Sequence, residues 1–150
     1  MEVPVLTHSI RPMEEKDKPT VLDMMQTFYS SPAVLSNGSK EIFEADIEAC
    51  LNDSPYLEGY VFEENGATVG YAMLAKSFST EFGKPCIWIE DLYVEESFRG
   101  RGFGKAFLDF VDLKYPTALK RLEVEEENER ALHVYKSCGF EILPYLEMKK

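Results

Sequence analysis

A glycine-rich run, between a predicted strand and a predicted helix, is the part of the chain best suited to chemistry. It reads Arg99-Gly100-Arg101-Gly102-Phe103-Gly104 and continues into Lys105. Backbone N–H groups at the start of a helix have no partners within the helix, and glycines let a bulky anion approach them closely. The partial positive charge of the helix terminus favours phosphate. With the added charge of Arg99, Arg101 and Lys105, the run predicts a diphosphate-binding loop; the alternative is a flexible turn that only precedes a helix.

Two nucleotide-binding motifs fit this run poorly. A dinucleotide-binding loop has the spacing GxGxxG, whereas Gly100, Gly102 and Gly104 follow the spacing GxGxG. A Walker loop needs Ser or Thr after Gly-Lys to bind magnesium. Here Ala106 follows Lys105 and has no hydroxyl. Both nucleotide interpretations are therefore weakened.

Two motifs in the chain resemble those of a known family. Arg99–Gly104 fits the R/Q-x-x-G-x-G/A motif of the GCN5-related N-acetyltransferases, the GNAT superfamily. Asn128–Phe140 resembles the second motif of that family, N-x-x-A-x-x-x-Y-x-x-x-G-F, and the two occur in the family's order and spacing. The segment Ile87–Val94 looks like the family's central strand, and its IEDLYV is close to the LEDFFV-like segment of diamine acetyltransferases. The resemblance spans about Tyr60 to Phe140, and the N-terminal third matches only in general layout.

The resemblance implies an α/β fold with a mixed, mostly antiparallel sheet and helices on both faces. Its two central parallel strands, Ile87–Val94 and Leu119–Glu125, would splay apart and leave a V-shaped gap. Acetyl-CoA, the implied co-substrate, would place its pantetheine arm in that gap and its pyrophosphate on the glycine-rich run. No metal is expected. The implied cofactor-binding residues are Leu92, Tyr93, Val94, Arg99, Gly100, Arg101, Gly102, Phe103, Gly104, Lys105 and Asn128.

Catalytic roles follow from the same resemblance. A protonated amine must lose a proton before it attacks a thioester, and Glu90 on the central strand would accept that proton directly or through water. Asp91 is the weaker candidate because it alternates to the opposite face of a regular strand. Tyr135 matches the family's tyrosine and would protonate the departing thiolate. The alternatives are a structural or substrate-contacting Glu90, a core Tyr135, and an Asn128 that only caps its helix.

Periodicity predicts the elements that position these residues. Apolar spacing favours helices at Glu14–Tyr29 and Ser39–Leu51, after a first strand at His8–Met13. Glu64-Asn65-Gly66 between two β-rich runs indicates a hairpin. The strand–helix–strand pattern of Cys86–Glu125 predicts a right-handed parallel connection. We expect residues 1–150 to form one domain, with one or two final strands in 141–150.

Composition limits the partners. The net charge of −11, from 27 acidic and 16 basic residues, argues against nucleic-acid binding and is compatible with cationic substrates. No apolar run approaches the roughly 18 residues of a membrane span, and the N-terminus lacks the order of a signal peptide. Three cysteines without CxxC spacing suit reduced thiols in the cytoplasm. Two histidines, His8 and His133, are far apart and suggest no zinc site.

The two motifs do not cover the parts of the chain that would bind the acceptor. A polyamine or another small cationic amine is the leading hypothesis; protein N-termini or lysines, amino acids and aminoglycosides are the alternatives. Acidic residues available to bind a cation are Glu44, Asp46, Glu48, Glu81, Glu90 and Asp91. Two other classes remain: a non-catalytic acyl-CoA-binding module, and an acidic interaction protein with a structural glycine loop. The resemblance to this family also suggests a homodimer.

Overall fold

A mixed five-stranded sheet lies at the centre of the structure, a computed structural model that describes residues 8–35 and 38–150. Neighbours in the sheet follow the order of the chain, β1-β2-β3-β4-β5. Strands β1 to β4 pair antiparallel, and β5 pairs parallel with β4, as the strand–helix–strand pattern predicted. The strands of the described residues are β1 (His8–Pro12), β2 (Leu57–Glu64), β3 (Ala67–Ser79), β4 (Lys84–Val94) and β5 (Leu119–Leu122).

Helices cover both faces of the sheet, which confirms the predicted layer order. In the described part of the chain the α-helices are α1 (Lys18–Tyr29), α2 (Lys40–Leu51), α3 (Phe103–Lys114) and α4 (Glu129–Ser137). Helices α1 and α2 bury residues such as Met25 and Phe43 against one face. Helix α3 buries Phe107 and Val111 against the other face, where α4 also packs. The glycine-rich run therefore lies at the start of a helix whose apolar side is fixed by the core.

The β2–β3 connection is the predicted Asn-Gly hairpin. Asn65 and Gly66 have φ values of 51° and 83°, the left-handed conformation that a two-residue hairpin turn requires. Ser39 caps α2, because its side chain accepts a hydrogen bond from the Ile42 N–H. Local sequence patterns thus determine both of these features.

Strands β4 and β5 separate after a short paired segment. Only Cys86–Ile89 of β4 pair with β5, and Glu90 is the first residue beyond that pairing. On the β3 side Met73 pairs with Asp91 and Leu74 with Ile89, so Glu90 is an extra residue that forms a β-bulge. The bulge bends the strand where the gap begins, and the predicted splay of the two parallel strands is confirmed.

Two sequence-based predictions of strands are wrong. Strand β5 ends at Leu122 rather than at residue 125, because the chain diverges from β4 beyond that point. Residues 141–150, which are all described, form no strand, and their contacts include a hydrogen bond from Tyr145 to Glu81. Pro144 has no N–H to donate to a sheet ladder, and this interrupts the apolar pattern that suggested strands.

Candidate active site

A cavity of about 610 Å³ opens between the diverging ends of β4 and β5. One wall comes from β4 and the opposite wall from the segment after β5 and from α4. The end of α1 and the loop that follows it close a third side. The lining residues are Phe28, Ser31, Pro32, Ala33, Ile89, Glu90, Leu92, Tyr93, Val94, Arg99, Glu123, Val124, Glu125, Glu127, Asn128, Arg130, Ala131, Val134 and Tyr135.

The glycine-rich run leaves the start of α3 open. Gly100 and Gly102 have φ values of 79° and 88°, which favour glycine, and Gly102 precedes the first helical residue without any side-chain cap. A Cβ atom built at Gly102 or Gly104 would meet no heavy atom within 4 Å. The space beside these two glycines is therefore open, as the close approach of a bulky anion to the helix terminus requires.

The basic residues of the run do not all face the cavity. Arg99 lines it, and its Nε donates a hydrogen bond of 2.8 Å to the Val94 carbonyl. The Arg101 guanidinium turns away and binds both carboxylate oxygens of Glu64, at 3.0 and 2.9 Å. Lys105 pairs with Asp109 at 3.1 Å on the outer surface of α3. The structure thus brings Arg99 into the cavity but not Arg101 or Lys105.

Glu64 joins this loop to the sheet. Its side chain is only 4% exposed at the end of β2, and it accepts hydrogen bonds from Arg101 and from His8. The His8 ring packs on Phe103 with 4.7 Å between the ring centroids. Phe103, predicted as a cofactor-binding residue, is 4% exposed and belongs to the core. Arg101 and Phe103 therefore fix the loop in place instead of lining the cavity.

Glu90 on β4 and Tyr135 on α4 both line the cavity. Burial raises the pKa of Glu90 above its usual value, and the negative charges of Asp91 and Glu147 raise it further. A carboxylate with a raised pKa accepts a proton more readily near neutral pH. Burial also raises the pKa of Tyr135, so its phenol keeps its proton and remains a donor.

Asp91 is a buried anchor on the other face of β4. It is 3% exposed and accepts hydrogen bonds from Tyr71 at 2.6 Å and from Tyr29 at 2.9 Å. Tyr29 is the last residue of α1, so this pair of bonds holds the end of that helix against the sheet. Asp91 is not among the residues that line the cavity, and the bulge at Glu90 makes the strand irregular here.

Carboxylates without a cationic partner gather near Glu90. Burial and the negative charges of Asp91 and Glu90 raise the pKa of Asp46, on α2, to about 6. Burial and the charges of Glu147 and Glu90 raise the pKa of Glu123, a cavity residue. Among the described residues none of these five carboxylates forms an ion pair. This part of the molecule is therefore an uncompensated negative region.

Several cavity residues were not predicted from the sequence. Phe28 and the segment Ser31–Ala33 come from the end of α1 and its following loop, and Glu123 follows β5. Arg130 lies in α4, two positions after Asn128. Asn128, which was predicted, caps α4 through a 3.2 Å bond from the Ala131 N–H and also lines the cavity. Only one signal in the sequence pointed to Arg130, namely that it is a basic residue within the second motif.

Replacing Asp46 with Asn is expected to stabilise the protein above neutral pH. A carboxyl group whose pKa is higher in the folded state than in the unfolded state costs stability as pH rises from about 4 through about 6. With solvent screening, we expect a gain of about 1 kcal/mol in the free energy of unfolding at about pH 8 and none at about pH 4. Urea unfolding of the Asp46→Asn variant and the unaltered protein at both pH values measures this difference in the free energy of unfolding. Asp23→Asn, on the exposed surface of α1, controls for the lost charge, and an equal gain there would contradict this account.

Comparison with known proteins agrees with this geometry. The family model described as "Acetyltransferase (GNAT) family" matches residues 20–140. The chain belongs to the GNAT family. This membership confirms the family predicted from the two motifs, and with it an acetyl-CoA-dependent N-acetyltransferase.

Curated GNAT relatives act on amines of different kinds. Peptidyl-lysine N-acetyltransferase YiaC of Escherichia coli (strain K12) is 24% identical over 89% of this chain and 84% of that protein. Thialysine N-epsilon-acetyltransferase of Bos taurus is 35% identical, but over 53% of this chain and 48% of that protein. Similarity at this level supports the enzyme class and leaves the acceptor open.

Solved GNAT structures share the fold. The aminoglycoside N-acetyltransferase AAC(6')-Iy in complex with CoA superposes with a TM-score of 0.82 and 17% identity, over 100% of this chain and 98% of that one. A predicted acetyltransferase from Clostridium acetobutylicum, solved with acetyl-CoA, gives a TM-score of 0.77 and 19% identity, over 95% of this chain and 96% of that one. GNAT structures therefore bind CoA or acetyl-CoA on this fold. In the described part of this chain no helix is long and apolar enough to cross a membrane.

Proposed function

We propose that this protein transfers the acetyl group of acetyl-CoA to a small cationic amine by direct attack in a ternary complex. One observation carries the proposal: a single cavity is lined both by Arg99 of the glycine-rich loop and by Glu90 and Glu123, two carboxylates that form no ion pair among the described residues. The loop suits the phosphates, and the open space at Gly102 and Gly104 fits a bulky anion. The carboxylates suit the positive charge of the acceptor.

Acetyl-CoA supplies a thioester whose acetyl carbon bonds to the amine nitrogen as the carbon–sulfur bond breaks. Glu90 accepts the proton that the ammonium group must lose, directly or through a water molecule. Tyr135 donates its phenolic proton to the departing sulfur, and solvent restores that proton. Leu92, Tyr93 and Val94 line the cavity beside Glu90. In the proposed mechanism their backbone holds the pantetheine arm. Proximity of the two substrates supplies much of the acceleration.

A covalent acetyl-enzyme is not needed for this mechanism. Among the cavity-lining residues of the described chain there is no cysteine. Burial raises the pKa of Cys50 to about 12 and also raises the pKa of Cys86, so both stay as thiols at neutral pH. A thiol is a weak nucleophile, and this supports direct attack by the amine.

A diamine or polyamine is the acceptor that the charges favour. A monoamine would offset one negative charge, whereas Glu90 and Glu123 both line the cavity and Asp46 lies near Glu90, and none of the three forms an ion pair among the described residues. By contrast, the buried carboxylate of Asp17 pairs with Arg11. A lysine side chain of a protein is the second candidate, favoured by the similarity to the Escherichia coli peptidyl-lysine acetyltransferase over most of the chain.

A panel of acceptors tests this proposal. With acetyl-CoA saturating, kcat/KM is measured for a linear diamine, the monoamine of equal length, a lysine-containing peptide and an aminoglycoside. We expect kcat/KM for the diamine to be about tenfold higher than for the monoamine, because the second ammonium group makes one additional charge-assisted contact. A kcat/KM for the lysine-containing peptide above those of both amines would identify a protein lysine as the acceptor and reject the diamine.

The remaining expectations concern the protein as a whole. We propose that residues 1–150 form one acetyltransferase domain that works in the cytoplasm as a homodimer, with no nucleic-acid or membrane partner. The apolar side chains of Ile142, Leu146 and Met148, which are 73 to 96% exposed in the C-terminal segment, support an interface with a second copy. Light scattering of the purified protein measures the oligomeric state.

A further inference from the structure

Basic side chains around the glycine-rich loop fall into two groups. Arg101 and Lys105 are held by protein carboxylates, those of Glu64 and Asp109. Arg99 and Arg130 line the cavity, and within the described residues neither forms an ion pair. Phosphates that enter the cavity would therefore meet Arg99 and Arg130 first.

Arg130 is unusual for its surroundings. It is preceded by an acidic stretch that includes Glu125, Glu127 and Glu129, and it is exposed, yet it pairs with none of these carboxylates. Its guanidinium instead approaches the glycine-rich loop: a Cβ atom on Gly100 would lie 3.5 Å from the Arg130 Nη2 atom. The side chain thus faces the loop from the opposite wall of the cavity.

We propose that Arg130 binds a phosphate group of the CoA moiety and closes the phosphate site from the α4 side. The proposal rests on the acetyl-CoA site proposed above, and it adds a ligand that lies outside the glycine-rich motif. Guanidinium groups bind phosphate through two parallel hydrogen bonds, a geometry that lysine does not offer.

The position of Arg130 also connects phosphate binding to Tyr135. Both residues belong to α4, which packs on the core through Tyr135 but has no fully buried residue. A phosphate held between Arg130 and the loop at Gly100 would anchor this helix to α3. Arg130 is therefore a positioning residue for Tyr135 as well as a phosphate ligand.

Equilibrium binding by titration calorimetry separates a phosphate ligand from a structural residue. The ligands are CoA, dephospho-CoA and pantetheine, and the variants are Arg130→Met, Arg130→Lys and the control Lys105→Met. We expect Arg130→Met to weaken CoA binding at least about tenfold and to leave pantetheine binding unchanged. Arg130→Lys should weaken CoA binding less than Arg130→Met does. Lys105→Met should change the Kd for CoA less than about twofold, because it removes only an exposed ion pair with Asp109.

Each outcome bears on the proposal. A loss that persists with dephospho-CoA assigns Arg130 to the pyrophosphate, and a loss that disappears assigns it to the 3′-phosphate. An equal loss with pantetheine, or an equal loss in Lys105→Met, overturns the proposal, as does unchanged CoA binding in Arg130→Met. Failure of the unaltered protein to bind CoA would instead reject the proposed function.

Hydrogen exchange provides a readout that does not depend on turnover. CoA binding should protect the backbone amides of α4 in the unaltered protein, and this protection should be absent with Arg130→Met at a saturating CoA concentration. Equal protection in the two proteins would contradict the positioning role. Circular dichroism melting of both proteins shows whether the substitution changes the fold.

Discussion

Replacing Tyr135 with Phe is expected to lower kcat about 100-fold or more and to leave the Kd for acetyl-CoA within about twofold. The substitution removes the phenolic oxygen and keeps the ring that packs on Phe140 at 5.9 Å. Because burial raises the pKa of Tyr135, the phenol is protonated at neutral pH and available to the leaving sulfur. Loss of that proton donor should affect the chemical step and not cofactor binding.

The control for this substitution is Tyr145→Phe. Tyr145 is 60% exposed, and its hydroxyl donates to Glu81 in the C-terminal segment, outside the cavity lining. Steady-state kinetics with saturating amine and direct titration of acetyl-CoA compare the three proteins. An active Tyr135→Phe enzyme, or one whose Kd rises as much as its kcat falls, would show that Tyr135 is a packing residue.

Replacing Gly102 with Val should abolish most acetyl-CoA binding. The residue has φ 88°, which a β-branched side chain rarely adopts, and it precedes the first turn of α3. Restoring an allowed φ would turn the N–H groups of that turn away from the phosphate. Losing one or two charge-assisted hydrogen bonds corresponds to about a 10- to 100-fold rise in Kd.

Gly66→Val is a matched control for Gly102→Val. Gly66 has nearly the same φ, 83°, and a Cβ atom there also meets nothing within 4 Å, but it lies in the β2–β3 turn. Both variants should lose similar stability in thermal unfolding, because both force a left-handed conformation on valine. Equal acetyl-CoA affinities for the two variants would mean that the loop is not the phosphate site.

Local patterns predicted most of the elements that form the site. The glycine-rich run, the Asn128 cap and the Asn65-Gly66 hairpin are encoded by neighbouring residues, so their positions agree with the structure. The splay of β4 and β5 came from the family resemblance and not from periodicity. The bulge at Glu90, which begins the splay, depends on pairing with β3 and has no local signal.

Side-chain partners that are distant in the sequence could not be predicted. Arg101 was expected to bind the phosphates, but its guanidinium donates hydrogen bonds to the buried Glu64 on β2. The acidic residues of α2 looked equivalent in the sequence. In the structure Glu44 pairs with Lys40 and Glu48 with Lys18, which leaves Asp46 facing the other carboxylates. Only the packing of α1, α2 and β4 separates these roles.

Release of free CoA thiol, with a diamine as the only acceptor, tests the central claim most directly. The claim is that the cavity between β4 and β5 presents the thioester of acetyl-CoA to an amine held near Glu90. We expect thiol release that requires both the protein and the diamine, with one acetylated diamine formed per thiol. Normal acetyl-CoA binding without thiol release, for this and every other amine tried, would contradict the claim and indicate a non-catalytic acyl-CoA-binding protein.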